Sequence, residues 1–218
     1  MDLFDLPPKD GSFINYEKSA NYFDSSDKVP KRIRALINKP KIVVILKDPI
    51  HRAYSWYQHV KAHHDKVAIN YSFYEILTSN KQNIDLYKIK GRCLEPGNYY
   101  IHLKKWLKEF LSNQIYIVDA QTLRDEPYKC LNDLQNFFEL KTFIDYREHL
   151  VFDQKKSFYC LKLSPTNVKC LGSGKGRKYS EMDENSYEFL KRYYLESNKK
   201  LRNLLKRYEY QIPEWLKV

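Results

Sequence analysis

Two short apolar runs dominate the hydrophobic pattern of the chain. The first is Ile42–Leu46, IVVIL, which the polar Lys47-Asp48 and then Pro49 bring to an end. The second is QIYIVD at 114–119. Continuous runs of this length, rich in β-branched residues, are typical of strands buried on both faces of a parallel sheet. Because proline cannot donate to the ladder, Pro49 ends the first strand.

Helical spacing of apolar residues fills most of the remaining chain. It predicts helices at 30–38, from His51 onward, at 71–79, 98–111, 126–138 and 183–208. The polar stretch 80–92 predicts an exposed connection, and 13–23 predicts a short strand followed by a turn. A hairpin is expected around the turn at 164–167. Strands and helices in this order predict a single α/β domain whose parallel sheet is flanked by helices.

The stretch after the first strand is a candidate anion site. In a helix Arg52, Ser55 and His59 fall on one face. The free amides and the dipole of the helix N-terminus favour an anion, and arginine adds a bidentate fork. The spacing fits equally well an amphipathic helix whose arginine and histidine are solvated while Trp56 and Val60 pack inward.

Composition narrows the class of partner. The 218 residues are 43% hydrophobic and 15% aromatic, which excludes a disordered chain and suffices for one full domain. The net charge is +11 and the pI about 9.3. Such a charge favours a polyanionic partner: nucleic acid, an anionic membrane surface, an acidic glycan or a phosphorylated cofactor.

The four cysteines lack the paired spacing of a zinc site, so they do not indicate metal binding. Cys160 and Cys170 are close enough in sequence to bridge one hairpin, which would imply an oxidising compartment. They are equally consistent with two buried thiols. His59 and His63 have a spacing that suits a metal on a helix, but no glutamate or third ligand accompanies them. His59 is better interpreted as a proton carrier or charge stabiliser.

A basic glycine-rich segment, GSGKGRK, occupies 172–178. It is not a Walker loop, because Gly176 follows Lys175 where that loop requires serine or threonine. The segment is either a flexible basic loop that holds a phosphate with its amides and cations, or a solvated basic loop.

One conjunction of motifs is specific to a family. The run KDPIHRAYSWYQH at 47–59 resembles the 3′-phosphate-binding element of sulfotransferases that use 3′-phosphoadenosine-5′-phosphosulfate. Together with EKSANYFD, RCLEPGNYYIHLKKWL, FDQKKSFYC and KCLGSGKGRKYSEMD, it resembles the C-terminal sulfotransferase domain of heparan sulfate N-deacetylase/N-sulfotransferases. The likeness covers nearly the whole chain. It implies the sulfotransferase (P-loop-like) fold and transfer of a sulfuryl group to the glucosamine amine of heparan sulfate.

The resemblance also implies residues that bind the nucleotide. Lys47 and Ser55 would hold the 3′-phosphate, and Arg52 would help to shape that site. Tyr159 stands where the family usually has a tryptophan beside the adenine, and either ring can stack. The residues implied to close over the nucleotide are Lys175, Gly176, Arg177, Lys178 and Tyr179.

Further roles follow from the same resemblance. His59 and Lys175 would act at the transferring sulfuryl group, and Lys18 with His59 would line the glycan cleft. Cys160 and Cys170 match the family's hairpin disulfide. The implied location is the Golgi lumen, with the full-length parent held by a membrane anchor absent from this chain. The implied partners are the nucleotide and heparan sulfate or heparin, with no metal and no nucleic acid.

The sequence departs from the family in one respect. The 5′-phosphosulfate loop of the form KxGTT occurs nowhere in it. We therefore expect a domain that lacks the first strand-loop-helix, with weak or no catalysis by this chain alone. Two other functions stay open: a heparan sulfate O-sulfotransferase, and a non-catalytic module that binds heparin or nucleic acid.

Overall fold

The structure is a computed structural model, and it describes residues 14–140, 144–172 and 179–217. Its strands are β1 (Ile42–Leu46), β2 (Ile115–Asp119), β3 (Leu150–Asp153), β4 (Phe158–Ser164) and β5 (Asn167–Lys169). Its helices are α1 (Val29–Leu36), α2 (Pro49–Ala62), α3 (Lys66–Asn70), α4 (Phe73–Thr78), α5 (Ile84–Leu94), α6 (Tyr99–Glu109), α7 (Ala120–Asp125), α8 (Pro127–Phe137), α9 (Tyr146–His149) and α10 (Glu184–Arg207).

The two apolar runs form a parallel pair, as predicted. β1 pairs with β2 in a register that sets Ile42 opposite Ile115 and Leu46 opposite Asp119. Because parallel strands end at the same edge, the helices that follow them, α2 and α7, both begin there. One face of the pair is buried by α6 and α10, in a core that includes Val44, Leu46, Leu103, Trp106, Leu201 and Leu205.

The other face of the pair is covered unevenly. Ile45 and Val118 are partners in the register and point to the same face. Val118 is 3% exposed, whereas Ile45 is 56% exposed although it lies inside a parallel strand. Parallel strands are usually buried on both faces, so β1 carries an uncovered apolar position.

The prediction that residues 80–92 form an exposed connection is wrong, because this stretch contributes to a second hydrophobic core. This stretch is not an exposed connection, because α5 runs through most of it. The Asn83 side chain caps the helix by accepting a 3.2 Å hydrogen bond from the Leu86 amide. Leu86, Ile89 and Cys93 follow helical spacing and are buried against α2, α4 and α10. The polar residues between them face outward and obscure the pattern.

The strand expected within 13–23 is also wrong for the part that is described. Residues 14–19 have no regular structure, and a turn occupies 20–24. Aromatic packing, and not strand pairing, holds this segment: Trp106 Nε1 donates to the Phe23 carbonyl at 3.0 Å, and the Phe23 and Trp106 rings stack.

The predicted hairpin is confirmed and has a third strand. β4 pairs antiparallel with β3 and β5, so Phe152 lies opposite Tyr159. Cys160 and Cys170 form a disulfide with Cα atoms 4.4 Å apart. β4 lies against α7, which brings this small sheet to the edge where α2 begins. In the described ranges no helix has the length and apolar character to cross a membrane.

Candidate functional site

The N-terminus of α2 is capped by the side chain of Asp48, the residue that precedes the helix. Asp48 Oδ1 accepts a 2.9 Å hydrogen bond from the Ile50 amide, and Pro49 has no amide hydrogen. The Arg52 amide donates to the Asp48 carbonyl. The expectation that free amides of this helix start bind an anion is therefore wrong for these positions. Burial raises the pKa of the Asp48 carboxyl, although the Ile50 amide and the nearby His51 and Lys47 oppose the rise.

A hydrogen bond from the buried Tyr99 holds the turn between β1 and α2. The Tyr99 hydroxyl donates a 2.8 Å hydrogen bond to the Lys47 carbonyl, and the ring is buried. Burial raises the pKa of Tyr99 to about 12, so the hydroxyl remains a donor. The Lys47 side chain is exposed and forms no salt bridge with any residue of the described ranges. The ammonium is thus available at the edge of the sheet.

Arg52 is turned into the protein. Its Nη2 donates to the Cys93 carbonyl, and its guanidinium interacts with the Tyr194 hydroxyl. Its Nε is buried and has no hydrogen-bond partner among the described residues. The fork that sequence spacing assigned to a bound anion is therefore engaged by protein groups. Its location agrees with a part in shaping the site, and that role stays a prediction.

Ser55 and His59 lie one turn apart on α2. Ser55 is half-buried, and its hydroxyl has no hydrogen-bond partner in the part of the chain that is described. His59 is exposed, with its ring centroid 4.3 Å from that of His63. Trp56 is half-buried, and the Arg92 guanidinium lies 5.4 Å from its ring centroid. The sequence did not predict this contact of Arg92 with α2, because Arg92 lies on another helix, α5.

Tyr54 connects α2 to the residues that follow the basic segment. Its hydroxyl lies 2.9 Å from the Ser180 carbonyl and 3.1 Å from the Glu181 carbonyl. Its ring meets Tyr179 edge-on with centroids 5.5 Å apart. The structure therefore brings Tyr179 to the helix that carries Ser55. Four other predicted ligands lie outside the described residues: Lys175, Gly176, Arg177 and Lys178.

Two residues predicted to belong to the site, Tyr159 and Lys18, have no hydrogen bond, ion pair or ring contact with α2 in the part of the chain that the structure describes. Tyr159 is half-buried on β4, and its ring packs edge-on against Phe152 at 5.2 Å. Lys18 is exposed in the irregular segment 14–19 and has no ion pair with a described residue. The roles of both stay predictions.

One group of potential metal ligands occurs among the described residues. The ligand atoms of Asp153, Cys160 and Cys170 lie within 4.8 Å of one another. Both sulfurs are engaged in the disulfide, so they are not thiolates. The cluster therefore does not form a cysteine metal site while the bridge is intact.

Comparison with known proteins identifies the family. A family model described as the sulfotransferase domain matches residues 16–204. The chain belongs to this family. A crystal structure of a sulfotransferase from Alicyclobacillus acidocaldarius superposes with a TM-score of 0.62 over 90% of this chain and 65% of that one. At 18% identity this likeness concerns the fold alone, and it confirms the predicted sulfotransferase fold.

Relatives of known sequence match more closely. This sulfotransferase domain is 44% identical, over its full 218 residues, to the bifunctional heparan sulfate N-deacetylase/N-sulfotransferase 1 of Homo sapiens. It is 47% identical over 204 residues to the bifunctional heparan sulfate N-deacetylase/N-sulfotransferase of Drosophila melanogaster, which covers 93% of this chain. The chain spans 25% of the human relative and 19% of the fly relative.

Lys47 and Ser55 remain the predicted anion-binding groups of this sulfotransferase domain. Lys47 follows the end of β1 and is exposed, and Ser55 lies on α2 with a hydroxyl that has no hydrogen-bond partner among the described residues. An ammonium and a hydroxyl are groups that bind a phosphate by charge and by a charge-assisted hydrogen bond. Tyr54 and Tyr99 supply the rigidity, since they fix the helix and the turn from which these groups project.

Proposed function

We propose that this sulfotransferase domain moves a sulfuryl group from 3′-phosphoadenosine-5′-phosphosulfate to the free amine of glucosamine in heparan sulfate. The proposal rests on membership of the sulfotransferase family and on identity of 44% to 47% with N-deacetylase/N-sulfotransferases. In the comparison with the human relative, the aligned region includes all 218 residues of this chain.

The observation that carries the proposal is the meeting of two distant stretches at α2. The resemblance to sulfotransferases implies that the nucleotide binds at the β1–α2 region and at the segment that ends at Tyr179. These stretches are more than a hundred residues apart, and the Tyr54 hydroxyl joins them through its hydrogen bond with Ser180. A nucleotide with phosphates at both ends of its ribose needs such convergence.

We assign the 3′-phosphate to Ser55 and Lys47. The Ser55 hydroxyl would donate to a phosphate oxygen, and the Lys47 ammonium would supply the charge. Tyr159 would stack on the adenine. Closure over the nucleotide is assigned to Lys175, Gly176, Arg177, Lys178 and Tyr179. Supporting observations are that, among the described residues, the Ser55 hydroxyl has no hydrogen-bond partner and the exposed Lys47 forms no salt bridge, and that β4 lies beside α7.

The transfer itself is an in-line displacement at sulfur. The amine nitrogen forms a bond to the sulfur while the bond from sulfur to the bridging phosphate oxygen breaks. The amine loses its proton to water, and adenosine 3′,5′-bisphosphate leaves with the bridging oxygen. His59 and Lys175 would stabilise the charge that develops on the sulfuryl and phosphate oxygens.

The anionic glycan is the proposed acceptor. The net charge of +11 favours it, and Lys18 and His59 would line its cleft. Binding through exposed cations weakens as salt rises, so the affinity for the glycan should fall at high ionic strength. The nucleotide and the glycan are the proposed partners, and the mechanism uses neither a metal nor a nucleic acid.

We propose the Golgi lumen as the location, with the parent protein anchored in the membrane by a segment outside this chain. The Cys160–Cys170 disulfide supports an oxidising compartment.

Product analysis tests the proposed activity. The chain is incubated with the sulfate donor and with heparosan whose amines are free, and the disaccharides are then separated. We expect weak formation of N-sulfoglucosamine at most, because the sequence contains no KxGTT motif. O-sulfation of fully N-acetylated heparosan would instead identify an O-sulfotransferase. Failure to bind adenosine 3′,5′-bisphosphate at millimolar concentration, with heparin or nucleic acid still bound, would identify a non-catalytic binding module.

A further inference from the structure

Tyr54 precedes Ser55, a predicted ligand of the 3′-phosphate, and itself has no predicted contact with the nucleotide. It is adjacent to Ser55 on α2 and is only 8% exposed. Its hydroxyl carries one proton and lies within hydrogen-bond distance of two carbonyls, those of Ser180 and Glu181. These contacts span 126 and 127 residues of sequence. A single side chain thus fixes a distant backbone segment to the helix.

The ring of Tyr54 is itself rigidly held. Its centroid is 5.2 Å from that of Phe73 and 6.2 Å from that of Tyr57, and all three residues belong to one buried core. The remaining ring contact is the edge-on one with Tyr179, which is 46% exposed. Tyr54 therefore provides a fixed surface against which a more exposed tyrosine rests.

The segment that Tyr54 contacts has little other order of its own. Residues 179–183 form neither helix nor strand, and α10 begins only at Glu184, where the Asp183 side chain caps it. The direction of the chain at Tyr179 therefore depends on side-chain contacts. The contacts with Tyr54 tie this segment to α2, and Met182 also packs against the core to which α2 contributes.

We propose that Tyr54 is a positioning residue for the donor nucleotide: its hydroxyl and ring hold Tyr179–Glu181 against α2 and so set Tyr179 beside the helix of Ser55. This inference rests on the proposed function, because it assigns Tyr179 and Ser55 to the nucleotide. Tyr54 acts through Tyr179 and does not touch the reacting atoms.

The chain contains a matched control for this role. Tyr57 is also buried on α2, and its hydroxyl donates a 3.0 Å hydrogen bond to a backbone carbonyl, that of Tyr71. Tyr71 leads from α3 to α4 and lies away from Tyr179 in sequence. Tyr54→Phe and Tyr57→Phe therefore remove the same chemical group from the same helix, but only the first releases Tyr179–Glu181.

Calorimetric titration with adenosine 3′,5′-bisphosphate compares the two variants with the unaltered chain, and urea unfolding checks their stability. We expect similar losses of stability in both, because each loses one buried hydrogen bond. Tyr54→Phe should bind the nucleotide about three- to tenfold more weakly, as expected for one lost hydrogen bond, and Tyr57→Phe within about twofold of the unaltered chain. Heparin affinity should be unchanged in both variants.

Each outcome decides the proposal. If the unaltered chain does not bind the nucleotide, the proposed function and this inference both fail. If it binds, and the two variants bind equally well, the inference alone fails. Should Tyr54→Phe not fold, hydrogen exchange on the unaltered chain decides: nucleotide must slow exchange of the amides at 179–182, and unchanged exchange overturns the proposal.

Discussion

The Tyr99 hydroxyl donates a 2.8 Å hydrogen bond to the Lys47 carbonyl, and so α6 supports the turn from which Lys47 projects. Lys47 belongs to the first residues after β1, and its backbone position sets where the ammonium can reach. A buried tyrosine more than fifty residues away thereby contributes to the geometry of the proposed phosphate site.

Tyr99→Phe should remove this support while leaving the ring in place. The Lys47 carbonyl then loses its partner, and the free energy of unfolding should fall by about 1–2 kcal/mol. Nucleotide affinity should fall severalfold as well. Tyr210→Phe is the control, since Tyr210 makes a similar 2.9 Å bond to the Ser112 carbonyl, beyond the opposite end of the parallel sheet. Equal effects of both variants on nucleotide affinity would contradict the claim that Tyr99 supports the proposed phosphate site.

The disulfide should stabilise the small antiparallel sheet. Cys160 and Cys170 are ten residues apart, and closing a loop of that size contributes about 3 kcal/mol by restricting the unfolded chain. Reductant should therefore lower the melting temperature of the unaltered chain, and should have no effect on Cys160→Ser/Cys170→Ser. Thiol titration of the unfolded, unreduced protein should detect Cys93 and Cys130 only. Four reactive thiols in protein made under oxidising conditions would contradict the assignment.

The uncovered face of β1 should tolerate a polar residue. Ile45→Thr keeps a β-branched side chain at a position that is 56% exposed, so the free energy of unfolding should change by less than about 1 kcal/mol. The same change at its register partner, Val118→Thr, places a hydroxyl in a buried position and should cost about 1–3 kcal/mol. If both substitutions cost the same, Ile45 is covered in solution.

Asp48 should make stability depend on pH in an unusual direction. Burial raises the pKa of the folded-state carboxyl above its ordinary 3.8, so the folded protein binds more protons than the unfolded chain in that range. This contribution to stability is present at low pH and is lost as pH rises. Asp48→Asn keeps the cap acceptor but cannot titrate. Its stability relative to the unaltered chain should therefore increase as pH rises through and above the ordinary pKa of the carboxyl.

Glu139→Gln provides a control of opposite sign for this pH series. Lys41 holds the pKa of Glu139 below its ordinary value, so Glu139 contributes stability that is present at higher pH and lost as pH falls. Relative to the unaltered chain, this variant should become less stable as pH rises. If Asp48→Asn instead becomes less stable relative to the unaltered chain as pH rises, burial does not determine the direction of the Asp48 pKa shift.

Much of the fold could be predicted from the sequence, because its strongest signals are local. β1 and β2 are apolar runs ended by polar residues, and α10 follows a regular apolar stripe. α5 was missed because the polar residues between Leu86, Ile89 and Cys93 make the segment look solvent-exposed. The exposure of Ile45 could not be foreseen, since it depends on which elements cover β1.

The site shows the same limit in another form. Helical spacing placed Arg52 with Ser55, but spacing does not show where a long side chain points. The Cys93 carbonyl that engages Arg52 is a backbone group 41 residues away. The Tyr54 contact with Ser180 is more distant still, and a buried tyrosine on a helix is ordinarily part of the core. Contacts between side chains and remote carbonyls leave no pattern in the sequence.

The most direct test of the account compares two nucleotides that differ only in the 3′-phosphate. Calorimetry gives the affinities of the chain for adenosine 3′,5′-bisphosphate and for adenosine 5′-monophosphate. The bisphosphate should bind at least about tenfold more tightly, because Ser55 and Lys47 act on the additional phosphate. Ser55→Ala should reduce this preference severalfold and leave the affinity for the monophosphate unchanged. Equal affinity for the two nucleotides, or an undiminished preference in Ser55→Ala, would contradict the assignment of the 3′-phosphate to α2.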